Sequence, residues 1–158
     1  MTVMGKTLWN AQSDLATIAP DYFASAFGPG AAACQEYLTT LSALFDPAYL
    51  RGERNGAEKE APARLAKACD TIRAFMPVIQ RNMASTSGCQ QASWRYLQDH
   101  ADLCLDLARV YSAKASGAAE RAAALWQELE EKVWHKEPEL HRVLDAWLFT
   151  EALRRRFR

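Results

Sequence analysis

A helical spacing of apolar residues repeats along most of this chain and constrains its fold more than any other feature. The spacing is clearest in the second half, where six residues step by three or four: Trp94, Leu97, Ala101, Cys104, Ala108 and Tyr111. Side chains at this spacing share one face of an α-helix, which has about 3.6 residues per turn. Gly117 follows and ends the pattern. The stretch therefore predicts an amphipathic helix with one buried face.

The same spacing predicts helices on both sides of this one. Two helices are predicted before it. The apolar face of the first comprises Cys34, Tyr37, Leu38, Leu41, Leu44 and Phe45. The second begins at about Ala61, and its apolar face comprises Leu65, Ala68, Cys69, Ile72, Phe75, Met76, Ile79 and Met83. After it, residues from Ala118 to about Lys136 present Ala122, Leu125, Trp126, Leu129 and Val133. We expect Pro77 to bend the helix that begins at about Ala61.

Local signals place one more helix at each end of the series. Near the start, Ser13 is a candidate N-cap and Pro20 can open a second turn, which predicts a short or broken helix that stops at Gly28. Near the end, Pro138 stands where a helix would begin. The apolar face of that last helix comprises Leu140, Val143, Leu144, Trp147, Leu148 and Phe157.

These elements predict an all-α fold, an antiparallel bundle of about five or six helices over residues 13–158. The connections after residue 84 are short, so consecutive helices should lie antiparallel. Residues 1–12 form a short apolar stretch too brief for a helix, and we expect a short extended segment there. An isolated strand leaves its backbone groups unpaired, so either this segment is disordered or its sheet lies in sequence that this chain lacks.

Charge and hydropathy narrow the possible partners. The 158 residues contain 19 Lys and Arg against 19 Asp and Glu side chains, so no net field attracts nucleic acid. The sequence has no run of eighteen apolar residues, so it predicts no membrane span. It also has no basic start before an apolar stretch, so it predicts no signal peptide. We therefore expect a cytoplasmic chain that binds neither nucleic acid nor membrane.

No complete catalytic, metal or cofactor site is visible in the sequence. Glu131 with His135, Glu137 with His141, and His100 with Cys104 are each four residues apart, and all three pairs are better explained as solvated or structural side chains. Cys34, Cys69, Cys89 and Cys104 have no zinc-type spacing and are expected to be free, mostly buried thiols. The sequence thus predicts no catalytic residue, metal ligand or cofactor.

Two groups of residues remain as binding candidates. Trp9 and Asn10 combine an apolar plate with an amide, a combination suited to stacking on a sugar and recognising its hydroxyls. The irregular stretch 46–60 holds Tyr49, Arg51 and Glu53, which either bind a polar ligand or a neighbouring domain, or form a surface turn with a local ion pair. The other four tryptophans fall on the predicted helices and are expected to be packing residues.

The chain also resembles a known family. The resemblance rests on Leu8-Trp9-Asn10, Asp21-Tyr22-Phe23, Ala26-Phe27-Gly28 and Tyr37-Leu38. These residues are similar to the stretch that follows the catalytic (β/α)8 barrel in bacterial glycoside-hydrolase-like proteins akin to alpha-glucuronidases and beta-N-acetylhexosaminidases. The resemblance implies that residues 1–12 correspond to the last barrel strand and its exit loop, with Trp9 and Asn10 at the edge of a sugar site.

The resemblance further implies that the catalytic carboxylates lie in upstream sequence that this chain lacks. The leading hypothesis is then a non-catalytic helical C-terminal domain of a carbohydrate-active protein, packed on a barrel and at the edge of its sugar site. The alternative is an independent helical module that binds a partner protein or a second copy of itself. A barrel encoded just upstream of Met1 would favour the first hypothesis, and an unrelated gene there would favour the second.

Overall fold

The computed structural model describes residues 14–54 and 59–157, together with Asn10 and Gln12, and all regular structure in these ranges is helical. The elements are α1 (Leu15–Phe27), a 3₁₀ turn (Gly28–Gly30), α2 (Ala31–Phe45), α3 (Pro47–Arg51), α4 (Ala61–Ser85), α5 (Gly88–Ala115), α6 (Ala119–Leu140) and α7 (Ala146–Arg154). Six helices have nine residues or more, and α3 has five. Over the described ranges the prediction of an all-α bundle of about five or six helices is confirmed.

The long helices α4 and α5 form the centre of the bundle and bury the faces predicted for them. Leu65, Ile72 and Ile79 of α4 are fully buried, as is Trp94 of α5. Only two residues separate the helices, and the Thr86 hydroxyl closes α4 by donating a hydrogen bond to the Asn82 carbonyl at 2.7 Å. So short a connection makes the two helices antiparallel neighbours.

The other helices pack on this pair and on one another. Helix α5 contacts α1 and α6 as well as α4, whereas α2 packs on α1 and α4, and α7 packs on α6 and α3. Lys132 and Lys136 of α6 form ion pairs with Asp106 and Asp99 of α5, so α6 runs antiparallel to α5. In contrast, α2 runs in the same direction as α5. The start of α2 at Gly30 lies against Trp94 near the start of α5, and the chain just after α2 lies against the C-terminal half of α5.

The first helix differs from its prediction in its cap and its continuity. Asp14 is the N-cap, and its carboxylate accepts hydrogen bonds from the backbone and hydroxyl of Thr17 at 2.7 and 2.6 Å. The cap candidate Ser13 lies outside the described residues. The helix then runs through Pro20 without a break. Pro20 is exposed, so the carbonyl that loses its helical donor there can be hydrated.

The prediction that a last helix begins at Pro138 is wrong. Pro138 lies inside α6, which continues to Leu140, and α7 begins only at Ala146. The signal that starts α7 is Asp145, whose carboxylate accepts a hydrogen bond from the Leu148 backbone at 2.8 Å. Pro138 is tolerated because it lies one turn from the helix end on the exposed face, where water can reach the carbonyl left without a donor.

Part of the stretch predicted to be irregular is helical. Asp46 adopts a positive φ of 48° and caps α3 through the Tyr49 backbone at 3.3 Å, and Gly52 ends α3 with a φ of 78°. The Asp46 carboxylate also forms ion pairs with Arg54 at 2.5 Å and Arg64 at 3.4 Å. This cluster fixes α3 against the start of α4.

Candidate functional site

An apolar groove opens between α2 on one side and the end of α6 with α7 on the other, with α5 between them. Its volume is about 540 Å³. The lining is mainly aliphatic and aromatic: Leu38, Leu41, Ser42, Phe45, Leu50, Tyr96, Asp99, His100, Leu103, Cys104, Leu107, Leu140, Val143, Leu144 and Phe149. A concave apolar site of this size with a few polar groups is typical of small-ligand sites in proteins.

The polar groups of the groove belong mostly to α5. His100 places Nε2 3.5 Å from the Cys104 Sγ, and Asp99 forms an ion pair with Lys136. The hydrogen bond from Lys136 to Asp99 raises the pKa of the ammonium group. The charges of Asp99 and Lys136 are therefore paired with each other, and no residue that lines the groove carries an unpaired charge.

His100 and Cys104 are neutral in this setting. Burial raises the pKa of the Cys104 thiol to about 12. The His100 ring reaches water at the groove surface, yet the neighbouring protein desolvates it and lowers its pKa. A thiolate nucleophile needs an electropositive setting that lowers the thiol pKa, so the geometry does not prepare Cys104 for nucleophilic catalysis.

The cysteines give the first testable prediction. At pH 8, a thiol with a pKa of about 12 is a thiolate in about one molecule in ten thousand, whereas the exposed Cys89 is open to reagents. We expect iodoacetamide to alkylate Cys104 at least about 100-fold more slowly than Cys89 in the folded protein, measured by peptide mass spectrometry. Labelling in urea should remove the difference, and equal rates in the folded protein would contradict it.

Beside the groove, three large apolar side chains project into water, one from the connection between α6 and α7 and two from the first turn of α7. Val143 is 58% exposed, Trp147 62% and Leu148 58%. We call these three residues the ridge. They were predicted to lie on the buried face of the last helix, and that prediction is wrong. Because α7 starts at Ala146, its buried positions are Ala146, Thr150 and Leu153, which leaves the ridge without a cover among the described residues.

The tryptophans on the helices divide into two buried and two exposed. Trp94 and Trp126 are core residues, as predicted. Trp134 is 44% exposed and Trp147 62%, so the prediction that all four are packing residues is wrong for these two. The helical spacing did not separate the two pairs, since all four lie on or next to apolar stripes.

The loop candidates do not form one surface. The Tyr49 ring is buried, lies against Tyr111 at a centroid distance of 5.8 Å, and has the Arg64 guanidinium over it at 5.0 Å. Arg51 and Glu53 are exposed and bind each other through two hydrogen bonds of 2.7 and 2.8 Å. This mutual bond raises the pKa of Arg51 and lowers that of Glu53. The pair is thus a local ion pair on the surface, and Tyr49 belongs to the core.

The substrate-edge candidates are only partly described. Trp9 lies outside the described residues. Asn10 is exposed, and its Oδ1 accepts a hydrogen bond from the Gln12 backbone at 3.0 Å. The role predicted for these two residues at the edge of a sugar site stays a prediction.

The described part of the chain contains no cluster of three or more metal-ligating side chains. Glu131 and His135 lie exposed on α6, and the His141 Nδ1 lies 3.0 Å from the carbonyl of Pro138. Over the same ranges, no helix is long and apolar enough to cross a membrane.

Sequence reasoning missed the groove altogether. Its apolar lining residues look like ordinary core positions, and only the structure shows that α2 and α7 stand apart over α5. One signal was available: Val143 and Leu144 precede the α7 N-cap Asp145, so they lie at a helix connection and not on a helical stripe.

Comparisons with known proteins do not assign the groove or the ridge to a family. No protein-family model matches the chain, and searches among curated proteins and among solved structures also give no match. A function for this protein therefore has to be argued from its own side chains.

Proposed function

We propose that this protein is a non-catalytic helical interaction module that associates with a second copy of itself through the ridge. The observation that carries the proposal is the exposure of Val143, Trp147 and Leu148 around a single helix connection. Contact between apolar carbon and water is unfavourable by about 25 cal/mol per Å². The hydrophobic effect therefore favours association with a protein surface that covers the ridge.

Two further features support this role. Two-fold symmetric dimers are the commonest assemblies of identical protein chains. A two-fold axis next to the ridge places the ridge of one copy against the ridge of the other, so the same surface patch forms both sides of the interface. Aromatic residues are also enriched at protein interfaces, where an exposed tryptophan contributes a large contact area. The raised pKa of the Cys104 thiol, about 12, also favours a binding role over nucleophilic catalysis by this cysteine.

A catalytic barrel is the second candidate partner. The resemblance to the helical domains of glycoside-hydrolase-like proteins implies such a neighbour, and one observation favours it. Tyr22 of α1 is also 46% exposed, so apolar exposure extends beyond the ridge, as expected of a domain that covers a larger neighbour. In that case the carbohydrate-active protein would contain this module, and the ridge would pack on the barrel.

The dimer is tested by changing the ridge. We expect the double variant Trp147→Ser/Leu148→Ser to weaken self-association at least about 100-fold, measured by sedimentation velocity over a series of protein concentrations. Loss of the two apolar side chains removes roughly 3 kcal/mol or more of the hydrophobic free energy that stabilises the dimer, and each 1.4 kcal/mol changes the affinity about tenfold. The free energy of unfolding should change little, because both side chains are exposed.

Tyr22→Ser is the matched control, since it removes an exposed aromatic side chain from a helix that packs on α2 and α5. We expect this variant to associate like the wild type. A wild type that stays monomeric over the whole concentration series would contradict the dimer, and so would equal weakening by the Tyr22 and ridge variants.

A further inference from the structure

The groove is a separate feature from the ridge, although Val143 belongs to both. The ridge consists of exposed side chains, whereas the groove is a concave site of about 540 Å³. Ligand sites of about 300–1,000 Å³ hold small organic molecules, and most of their lining is apolar. The groove therefore has the size and lining of a small-ligand site, independently of what covers the ridge.

The lining changes character along the groove. Because α2 and α5 run in the same direction, Phe45 at the end of α2 and Leu107 in the second half of α5 share one end of the groove with Leu50 and Phe149. All four of these side chains are apolar. Packing of α3 against α7, together with a 2.7 Å hydrogen bond from the Tyr111 hydroxyl to the Leu50 carbonyl, closes this end.

Most of the polar groups lie towards the other end, on the first half of α5, whereas Ser42 lies on α2 one turn before Phe45. Tyr96, Asp99 and His100 line the groove there, and the exposed His100 connects it to solvent. The ion pair of Asp99 with Lys136 leaves no charge for a charged ligand to pair with. The contact of His100 Nε2 with the Cys104 Sγ, at 3.5 Å, is a weak hydrogen bond that a stronger polar partner can replace.

We propose that the groove binds a neutral single-chain amphiphile. Its hydrocarbon chain lies against Phe45, Leu107 and Phe149 at the closed end, and its hydroxyl- or amide-type head group forms a hydrogen bond with the His100 imidazole. The apolar end excludes a polar group, which would lose its hydrogen bonds to water there. The polar end disfavours a charged head group, which would be partly desolvated without an opposite charge to pair with.

Three probes with the same chain and different head groups test the proposal: 1-dodecanol, dodecanoate and dodecyltrimethylammonium. Binding to the full chain is measured by isothermal titration calorimetry, with 1-dodecanol below its aqueous solubility limit and the two charged probes below the concentrations at which they form micelles. We expect 1-dodecanol to bind at least about tenfold more tightly than either charged probe. Failure of 1-dodecanol to bind, or tighter binding of a charged probe, would overturn the proposal.

Variants of the groove locate the ligand. Cys104→Phe fills the groove and should weaken 1-dodecanol binding at least about tenfold, whereas Cys89→Phe makes the same change at an exposed position of α5 outside the groove and should have no effect. His100→Ala, at an exposed position, should weaken binding about fivefold through the loss of one hydrogen bond. Circular dichroism checks that each variant is folded.

The ridge variant distinguishes this proposal from the proposed dimer. Trp147→Ser/Leu148→Ser should bind 1-dodecanol like the wild type, even where it no longer self-associates. Loss of 1-dodecanol binding in this variant would place the amphiphile on the ridge and overturn the groove proposal. Unchanged binding by both Cys104→Phe and His100→Ala would overturn it as well, whatever the oligomeric state.

Discussion

Replacing Trp94 with alanine should lower the free energy of unfolding by about 3–5 kcal/mol, a large part of the total stability of a domain of this size. Trp94 is fully buried, and its ring meets Phe27 edge to face at a centroid distance of 5.1 Å. Its indole Nε1 donates a hydrogen bond to the Phe27 carbonyl at 3.3 Å. Alanine leaves a cavity between α1, α2 and α5 and leaves that carbonyl without its donor. Urea denaturation followed by circular dichroism measures the loss.

Trp134→Ala is the matched control, because Trp134 has the same side chain but is 44% exposed. We expect it to cost less than about 1 kcal/mol. Trp94→Phe should fall between the two, since it keeps an aromatic ring and loses the indole donor. Equal costs for Trp94→Ala and Trp134→Ala would show that the packing around Trp94 is not what stabilises the bundle.

Gly30→Ala should lower the free energy of unfolding by about 1–3 kcal/mol through a steric clash alone. A Cβ at Gly30 would lie 2.5 Å from Cζ2 and 2.9 Å from Cη2 of Trp94, and 3.0 Å from the Asn82 Oδ1. The Gly30 φ of −86° is one that alanine adopts readily, so the backbone adds no strain. The cost arises because α2 starts directly against the six-membered ring of Trp94, and it is measured by the same urea titration.

A double-mutant cycle isolates this contact. Phenylalanine lacks the second ring of the indole, so Gly30→Ala should cost at least about 1 kcal/mol less in a Trp94→Phe background than in the wild type. Gly117→Ala provides the opposite control, because Gly117 has a φ of 78° and no atom lies within 4 Å of its Cβ position. It should cost about 1 kcal/mol from backbone strain in either background. A cost of Gly30→Ala that is the same in both backgrounds would contradict the clash.

The helices that were predicted well are those whose apolar residues keep a regular spacing over many turns. On α4 and α5 the predicted stripes became the buried faces, because a long amphipathic helix has only one way to hide its apolar side. Prediction was poorer at helix ends, where one or two side chains decide the outcome. Ser13 and Asp14 are both good N-cap residues, and a proline such as Pro138 fits either the first turn of a new helix or the last turn of an old one.

The binding surfaces were predicted less well than the helices. Tyr49 looked like a loop residue, yet the short helix α3 turns its ring into the core between Arg64 and Tyr111. The ridge looked like core, yet the late start of α7 exposes it. In both cases the local sequence is compatible with burial and exposure, and contacts with distant residues decide between them.

The sequence by itself determined the helical class of this protein, the positions of its long helices along the chain and the faces that they bury, because these depend on the spacing of apolar residues within one helix. Only the tertiary structure decided where apolar surface is left over. The groove exists because α2 and α7 stand apart over α5, and the ridge exists because α7 buries other positions. Both depend on how separate helices pack, since the same apolar side chain is buried where a neighbouring helix covers it and exposed where none does.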